Sequence, residues 1–174
     1  MLMACFPRRS RGVTLIEIVI TLVIASILVV MAVPNFTEWI RNQRIRTAAE
    51  SILNGLQTAR AEALTTNSPV NFQVSGSDSG SWAVVTSRGG NTVQSGQWSR
   101  AQVSLGVPSL CFNGMGRVCA SGSGSVDISS DDDSACLGAP GGKARCLRIT
   151  VNNGGGIRLC DPDPALPTTN TRGC

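Results

Sequence analysis

The chain has 174 residues, is 42% hydrophobic and contains neither histidine nor tyrosine. Its formal net charge is +4, but three of its 15 basic residues lie before residue 13, so the remainder carries nearly equal numbers of basic and acidic residues. This balance gives no support for a nucleic-acid-binding protein on global charge alone. The lack of histidine excludes a Ser/His or Cys/His catalytic pair, and we expect no catalytic residue, no metal site and no cofactor.

The N-terminal segment joins a basic start to a long apolar run. Three arginines precede Gly12, and from residue 13 to residue 33 the only charged residue is Glu17. At about 1.5 Å rise per residue, a helix over these positions is roughly 31 Å long, enough to cross the core of a bilayer. A carboxylate within such a segment is costly in lipid, so Glu17 is a candidate functional residue.

The order Gly12-Val13-Thr14-Leu15-Ile16-Glu17 resembles the signal of the type IV pilin superfamily. The resemblance implies a leader of residues 1–12, cleavage after Gly12 by a prepilin peptidase, and N-methylation of Val13, a position where Phe is commonest. It also implies that Glu17 guides assembly by pairing with the N-terminal amine of a neighbouring subunit. The alternative is a glutamate that snorkels to the lipid headgroups near its helix end.

Beyond the apolar run, the spacing predicts that the helix continues through residues 34–67 and ends near Thr66. Pro34 removes an amide donor and is expected to kink it, and Asn54-Gly55 is expected to weaken its middle by about 1 kcal/mol relative to alanine. Apolar or small residues recur with helical period at Phe36, Ile40, Ile45, Ala48, Ala49, Ile52, Leu56, Ala59 and Ala63. We expect this amphipathic part to lie against a globular head.

Residues 68–174 are predicted to form that head, because the period of the apolar residues changes to two. Candidate strands lie at 70–74, 82–86, 92–98, 110–112, 126–128, 146–151 and 156–160, and the turn signal at 88–91 favours a hairpin. The Gly-, Ser- and Asp-rich composition of residues 120–142 predicts a long exposed loop. A long N-terminal helix followed by antiparallel strands gives an α+β fold, with the helix packed on antiparallel sheets.

One cysteine, Cys5, lies in the leader, and the six others are confined to the head: Cys111, Cys119, Cys136, Cys146, Cys160 and Cys174. An even number of cysteines in an exported, loop-rich region favours disulfides. Metal binding is disfavoured because no pair has the short Cys-x2–4-Cys spacing. Six cysteines allow 15 complete pairings, and the spacing does not choose among them. The acidic run around Asp131 fits a solvated loop better than a calcium loop.

The C-terminal half narrows the resemblance. Residues 110–117, 146–151 and 156–162, together with 59–63 on the helix, resemble the GspH/FimT group of minor pilins and pseudopilins. That resemblance implies a head of packed antiparallel sheets on a long N-terminal helix. It also implies a non-enzymatic structural subunit.

A basic face is the remaining candidate site. Residues 134–174 carry a net charge of +3, from Lys143, Arg145, Arg148, Arg158 and Arg172 against two aspartates. DNA-uptake pilins of this group carry a Gly-Arg-x-Arg element where this chain reads Gly155-Gly156-Ile157-Arg158, so the first arginine is missing. The alternatives are therefore a nucleic-acid contact and an ordinary solvated face.

The prediction from these observations is a minor pilin of a type IV pilus that helps to initiate assembly or links the tip complex to the shaft. The alternatives are a type II secretion pseudopilin and a DNA-binding pilin for natural transformation. The implied partners are other pilins through the N-terminal helix, prepilin peptidase and an inner-membrane assembly platform. The implied location is the bacterial inner membrane, crossed once, with the head in the periplasm until the subunit enters a filament.

Overall fold

The computed structural model describes residues 12–106, 109–119, 124–131, 135–167 and 169–174, without the side chains of residues 32–35. The predicted leader therefore lies outside the described residues, apart from Gly12. The chain divides into two units, Met1–Thr37 and Glu38–Cys174. The first unit contains the start of helix α1, and the second contains the rest of α1 and all strands.

Helix α1 spans Leu15–Thr66 and ends where the sequence predicts. Local backbone geometry ends the helix. Asn67 adopts a φ of 45°, and the Ser68 amide donates to the Ala63 carbonyl at 3.3 Å. This is a Schellman stop, in which a left-handed residue turns the chain and satisfies a terminal carbonyl. The secondary structure of α1 runs through Pro34 without interruption, so the kink there stays a prediction.

Within the described residues, eight strands form two four-stranded antiparallel sheets. They are β1 Val70–Ser75, β2 Ser79–Thr86, β3 Thr92–Ser99, β4 Gln102–Leu105, β5 Ser109–Phe112, β6 Gly124–Ser129, β7 Leu147–Val151 and β8 Ile157–Cys160. Sheet A has the order β3-β2-β1-β5, and sheet B has the order β4-β6-β7-β8. The α+β fold of an N-terminal helix on antiparallel sheets is confirmed, as is the hairpin between β2 and β3.

Two features of sheet B differ from the sequence-based expectation. Strand β4 was not predicted, because it has four residues and two apolar side chains. An alternating pattern this short cannot be distinguished from a loop. The candidate strand at 126–128 is confirmed as part of β6, which pairs with both β4 and β7, and the long exposed loop predicted for residues 120–142 is wrong over this strand. Gly124, Val126 and Ile128 are buried along one side of β6, so packing on that side outweighs the polar composition of the segment.

The second unit is built around the inward stripe of α1. Phe36 and Ile40 were predicted to belong to this stripe, but Phe36 is exposed and Ile40 is only half-buried. The other seven predicted positions are buried: Ile45, Ala48, Ala49, Ile52, Leu56, Ala59 and Ala63. The stripe therefore begins near Ile45, where sheet side chains become available to cover it.

Gly55 lies at the closest approach of sheet A to α1. A Cβ atom built on Gly55 would lie 2.8 Å from ring atoms of both Phe72 and Trp82. These two rings are stacked with centroids 5.8 Å apart, and the Trp82 indole donates to the Ser51 hydroxyl at 2.9 Å. The glycine that weakens the helix locally is the residue that lets two aromatic rings pack on it.

All six head cysteines form disulfides, which confirms the predicted bonding and selects one of the open pairings. Cys111 bonds Cys119, Cys136 bonds Cys146, and Cys160 bonds Cys174. Each bond joins two cysteines that follow one another along the chain, and it closes a loop with a sequence separation of 8 to 14 residues. The last one attaches the C-terminal residue to the end of β8.

Candidate functional site

The first unit presents a continuous apolar surface. All residues from Gly12 to Met31 are exposed, although most of them are valine, isoleucine, leucine or alanine. A contiguous apolar surface of this extent on an isolated chain indicates a contact with lipid or with other protein. The candidate assembly residues Gly12, Val13 and Glu17 all lie at the start of this surface.

Glu17 also donates its backbone amide to the N-cap of α1, in a segment with the sequence pattern of a capping box, a role that the sequence analysis missed. Thr14 precedes the first residue of α1, and its hydroxyl accepts a hydrogen bond from the Glu17 amide at 3.4 Å. Ser or Thr at the N-cap with Glu or Gln three residues later is the sequence signature of such a box. The Thr14-Leu15-Ile16-Glu17 spacing therefore specifies where α1 begins as well as where a charge lies.

Length and apolar composition set whether a helix among the described residues could span a membrane. No single helix is apolar enough over its length to qualify as a span. The segments Leu15–Met31 and Phe36–Thr66 qualify when they are taken together as a broken pair.

The predicted basic face is dispersed in the structure. Arg148 lies on β7 and pairs with Asp127 on β6. Arg158 on β8 donates to the backbone carbonyls of Thr171 and Gly173 at 2.7 and 3.1 Å. Two of the five candidate cations thus have internal partners: Arg148 is paired with a carboxylate, and one nitrogen of Arg158 is bonded to backbone carbonyls.

The other three cations are exposed and lie outside the strands. Lys143 and Arg145 belong to the disulfide loop between Cys136 and Cys146, and Arg172 lies in the C-terminal tail. No group of three or more potential metal-binding side chains is found among the described residues. The nucleic-acid contact stays a prediction, and Lys143, Arg145 and Arg172 are the three candidate positions left for it.

Comparison with protein families decides the assignment. Residues 48–155, more than half of the chain, match the family described as "Type II transport protein GspH". Residues 7–33 match the "Prokaryotic N-terminal methylation motif". The chain belongs to the GspH family. The second match covers Gly12, Val13 and Glu17, and it implies prepilin processing.

Solved structures agree with the fold of this GspH-family chain. One crystal structure of the Pseudomonas aeruginosa (strain PAO1) type IV minor pilin FimU has a TM-score of 0.54 and 17% identity, covering 71% of this chain and 97% of that one. A second crystal form of FimU has a TM-score of 0.55 and 19% identity, with coverages of 76% and 97%. No curated protein sequence matches the chain. Family and fold are those of structural pilin subunits, which interact with other pilins.

Arg158 in this GspH-family chain is expected to secure the C-terminal tail. Its guanidinium bonds two tail carbonyls, next to backbone bonds between Asp161 and residues 172 and 174. We expect Arg158→Gln to speed hydrogen exchange of the Asp161 and Cys174 amides, with a loss of global stability of about 1 kcal/mol because the group is exposed. Mass-spectrometric hydrogen exchange measures this. Arg172→Gln is the control, and equal exchange in the two variants would contradict the role.

Proposed function

We propose that this protein is a minor pilin of a type IV pilus, a structural subunit that enters the filament in few copies. Its role there is to help initiate assembly or to link the tip complex to the shaft. The observation that carries the proposal is the exposed apolar surface of residues 12–31 with Glu17 as its single charge. The structural likeness of the head to a protein described as a minor pilin supports it.

The proposed processing, membrane insertion and assembly of the subunit depend on this N-terminal segment. Prepilin peptidase cleaves after Gly12, Val13 becomes the methylated N-terminus, and residues 13–33 cross the inner membrane once. Residues 34–67 continue the helix, with the kink at Pro34, into a disulfide-bonded periplasmic head of residues 68–174. An inner-membrane assembly platform then draws the subunit out of the bilayer among other pilins.

Glu17 supplies the docking step in this proposal. An unpaired carboxylate in lipid is expensive, and so is an unpaired amine, whereas the two groups attract strongly when they are close in a low dielectric. Pairing Glu17 with the N-terminal amine of a neighbour therefore favours addition of the subunit at one register.

A second candidate function is that of a type II secretion pseudopilin, and the description of the matching family favours it. The chemistry of processing and docking would be the same. The filament would be a short periplasm-spanning one instead of a surface pilus.

Analysis of sheared surface filaments by mass spectrometry tests the proposal. We expect small amounts of this protein with an N-terminus at methylated Val13. A processed protein that stays in the cell envelope, with secretion impaired when its gene is deleted, would overturn the pilus proposal and establish the pseudopilin. An unprocessed protein would contradict both.

A further inference from the structure

Strand β3 is an open edge of sheet A. It spans eight residues, Thr92–Ser99, and none of them is charged or proline. Among the described residues its strand partner is β2 alone, and six of its eight residues are exposed. In an antiparallel ladder, alternate residues direct both backbone groups away from the partner strand, so about half of β3 presents unpaired donors and acceptors.

The other sheet edges in the described part of the chain are short or covered. Strand β4 has four residues. Beside β5, Val118 bridges to Phe112 and the Cys119 amide donates to the Cys111 carbonyl. Beside β8, the disulfide-bound C-terminal tail is held by Arg158. Native sheets usually protect long edges with charge, proline, a bulge or a covering segment. Among the described residues, the only such feature found at β3 is a register shift at Val93, opposite Val84 and Val85.

A groove lies at the C-terminal end of β3, between this strand and α1. It has a volume of about 380 Å³ and is lined by Trp39, Ile40, Gln43, Arg44, Thr47 and Ala48 from α1 and by Gln97, Trp98 and Ser99 from β3. Trp98 is 6% exposed and Trp39 is 61% exposed, so the groove has a buried and an exposed aromatic side. No hydrogen bond or ion pair of the Arg44 guanidinium is found within the part of the chain that the structure describes.

We propose that β3 and this groove form one docking surface for an extended segment of a different pilin-type subunit. The segment adds to sheet A as a fifth strand through the outward backbone groups of β3. It places an apolar side chain between Trp39 and Trp98 and a carboxylate near Arg44. Strand addition works in this way: the main chain supplies affinity and a pocket for a side chain supplies specificity. This inference rests on the proposed function, because it takes the neighbour to be another pilin.

Site-specific photo-crosslinking in the full-length chain tests the proposal in cells that assemble the filament. The probe replaces Val93, which is exposed on β3, and the control probe replaces Ser104, which is exposed on the short edge strand β4. We expect a cross-link from position 93, and not from position 104, to one segment of one other pilin-type subunit. Gln97→Lys, which adds charge to the edge beside Arg44, is expected to abolish that cross-link. Ser95→Lys is a second blocking variant, and far-UV circular dichroism checks that both variants fold.

Each alternative outcome identifies what fails. A cross-link to a second copy of this chain, to lipid or to no molecule would overturn the inference, as would a cross-link that both lysine variants leave intact. The proposed function is judged separately by the presence of the protein in sheared filaments. If the protein is present there without the position 93 cross-link, only the docking surface is wrong.

Discussion

Glu17→Gln is expected to leave the protein processed and membrane-bound but to lower its amount in sheared filaments by at least about tenfold. Removing one partner of a buried charge pair costs about 3–5 kcal/mol, which exceeds the 1.4 kcal/mol that corresponds to a tenfold change. The backbone amide at position 17 still donates to the Thr14 hydroxyl in this variant, so Glu17→Gln removes the charge and keeps the helix start. Quantitative mass spectrometry of filament and membrane fractions measures the ratio.

Two further variants separate docking from capping. Glu17→Ala also removes the charge and keeps the backbone amide that bonds the Thr14 hydroxyl, so it is expected to match Glu17→Gln in filament incorporation. Thr14→Ala removes the cap hydroxyl at a cost of about 1 kcal/mol and is expected to retain most incorporation. Normal incorporation of Glu17→Gln would refute the charge-pair mechanism, and a defect in Thr14→Ala equal to that of Glu17→Ala would assign the effect to capping.

Gly55→Leu is expected to destabilise the head by about 3 kcal/mol, the upper part of the range for overpacked cores. The added side chain would meet Phe72 and Trp82, whose rings already lie within 3 Å of where a Cβ atom would be. Gly55→Ala is expected to cost about 1–2 kcal/mol, although alanine favours an isolated helix over glycine by about 1 kcal/mol. Thermal unfolding of the detergent-solubilised full chain, followed by far-UV circular dichroism, measures these changes.

Asn54→Ala is the matched control, because Asn54 is the exposed neighbour of Gly55 on the same helix. Alanine at this position is expected to raise stability by a few tenths of a kcal/mol through helix propensity alone. If Gly55→Ala raised stability as Asn54→Ala does, close packing at Gly55 would not explain the glycine.

The local features of this protein were predictable because each depends on neighbours in the sequence. The motif from Gly12 to Glu17, the apolar run after it and the helical spacing up to Ala63 all have short periods that a sequence displays directly. The end of α1 at Thr66 was also predictable, since Asn67, Ser68 and Pro69 are local stop signals. The number of head cysteines indicated disulfides for the same reason.

The remaining features depended on which distant segments meet. The sequence offered both a short strand at 126–128 and a long loop over 120–142, and the burial of Val126 and Ile128 in the core decided for the strand β6. Arg158 was a candidate for an external ligand until the folded tail brought the carbonyls of Thr171 and Gly173 to its guanidinium. The sequence by itself determined the N-terminal methylation motif, the helix, the fold class and the use of the cysteines. Only the tertiary structure decided the disulfide pairing, the packing role of Gly55 and the open edge at β3. The cysteine spacing allows several pairings, and the other two features depend on how segments distant in sequence pack together.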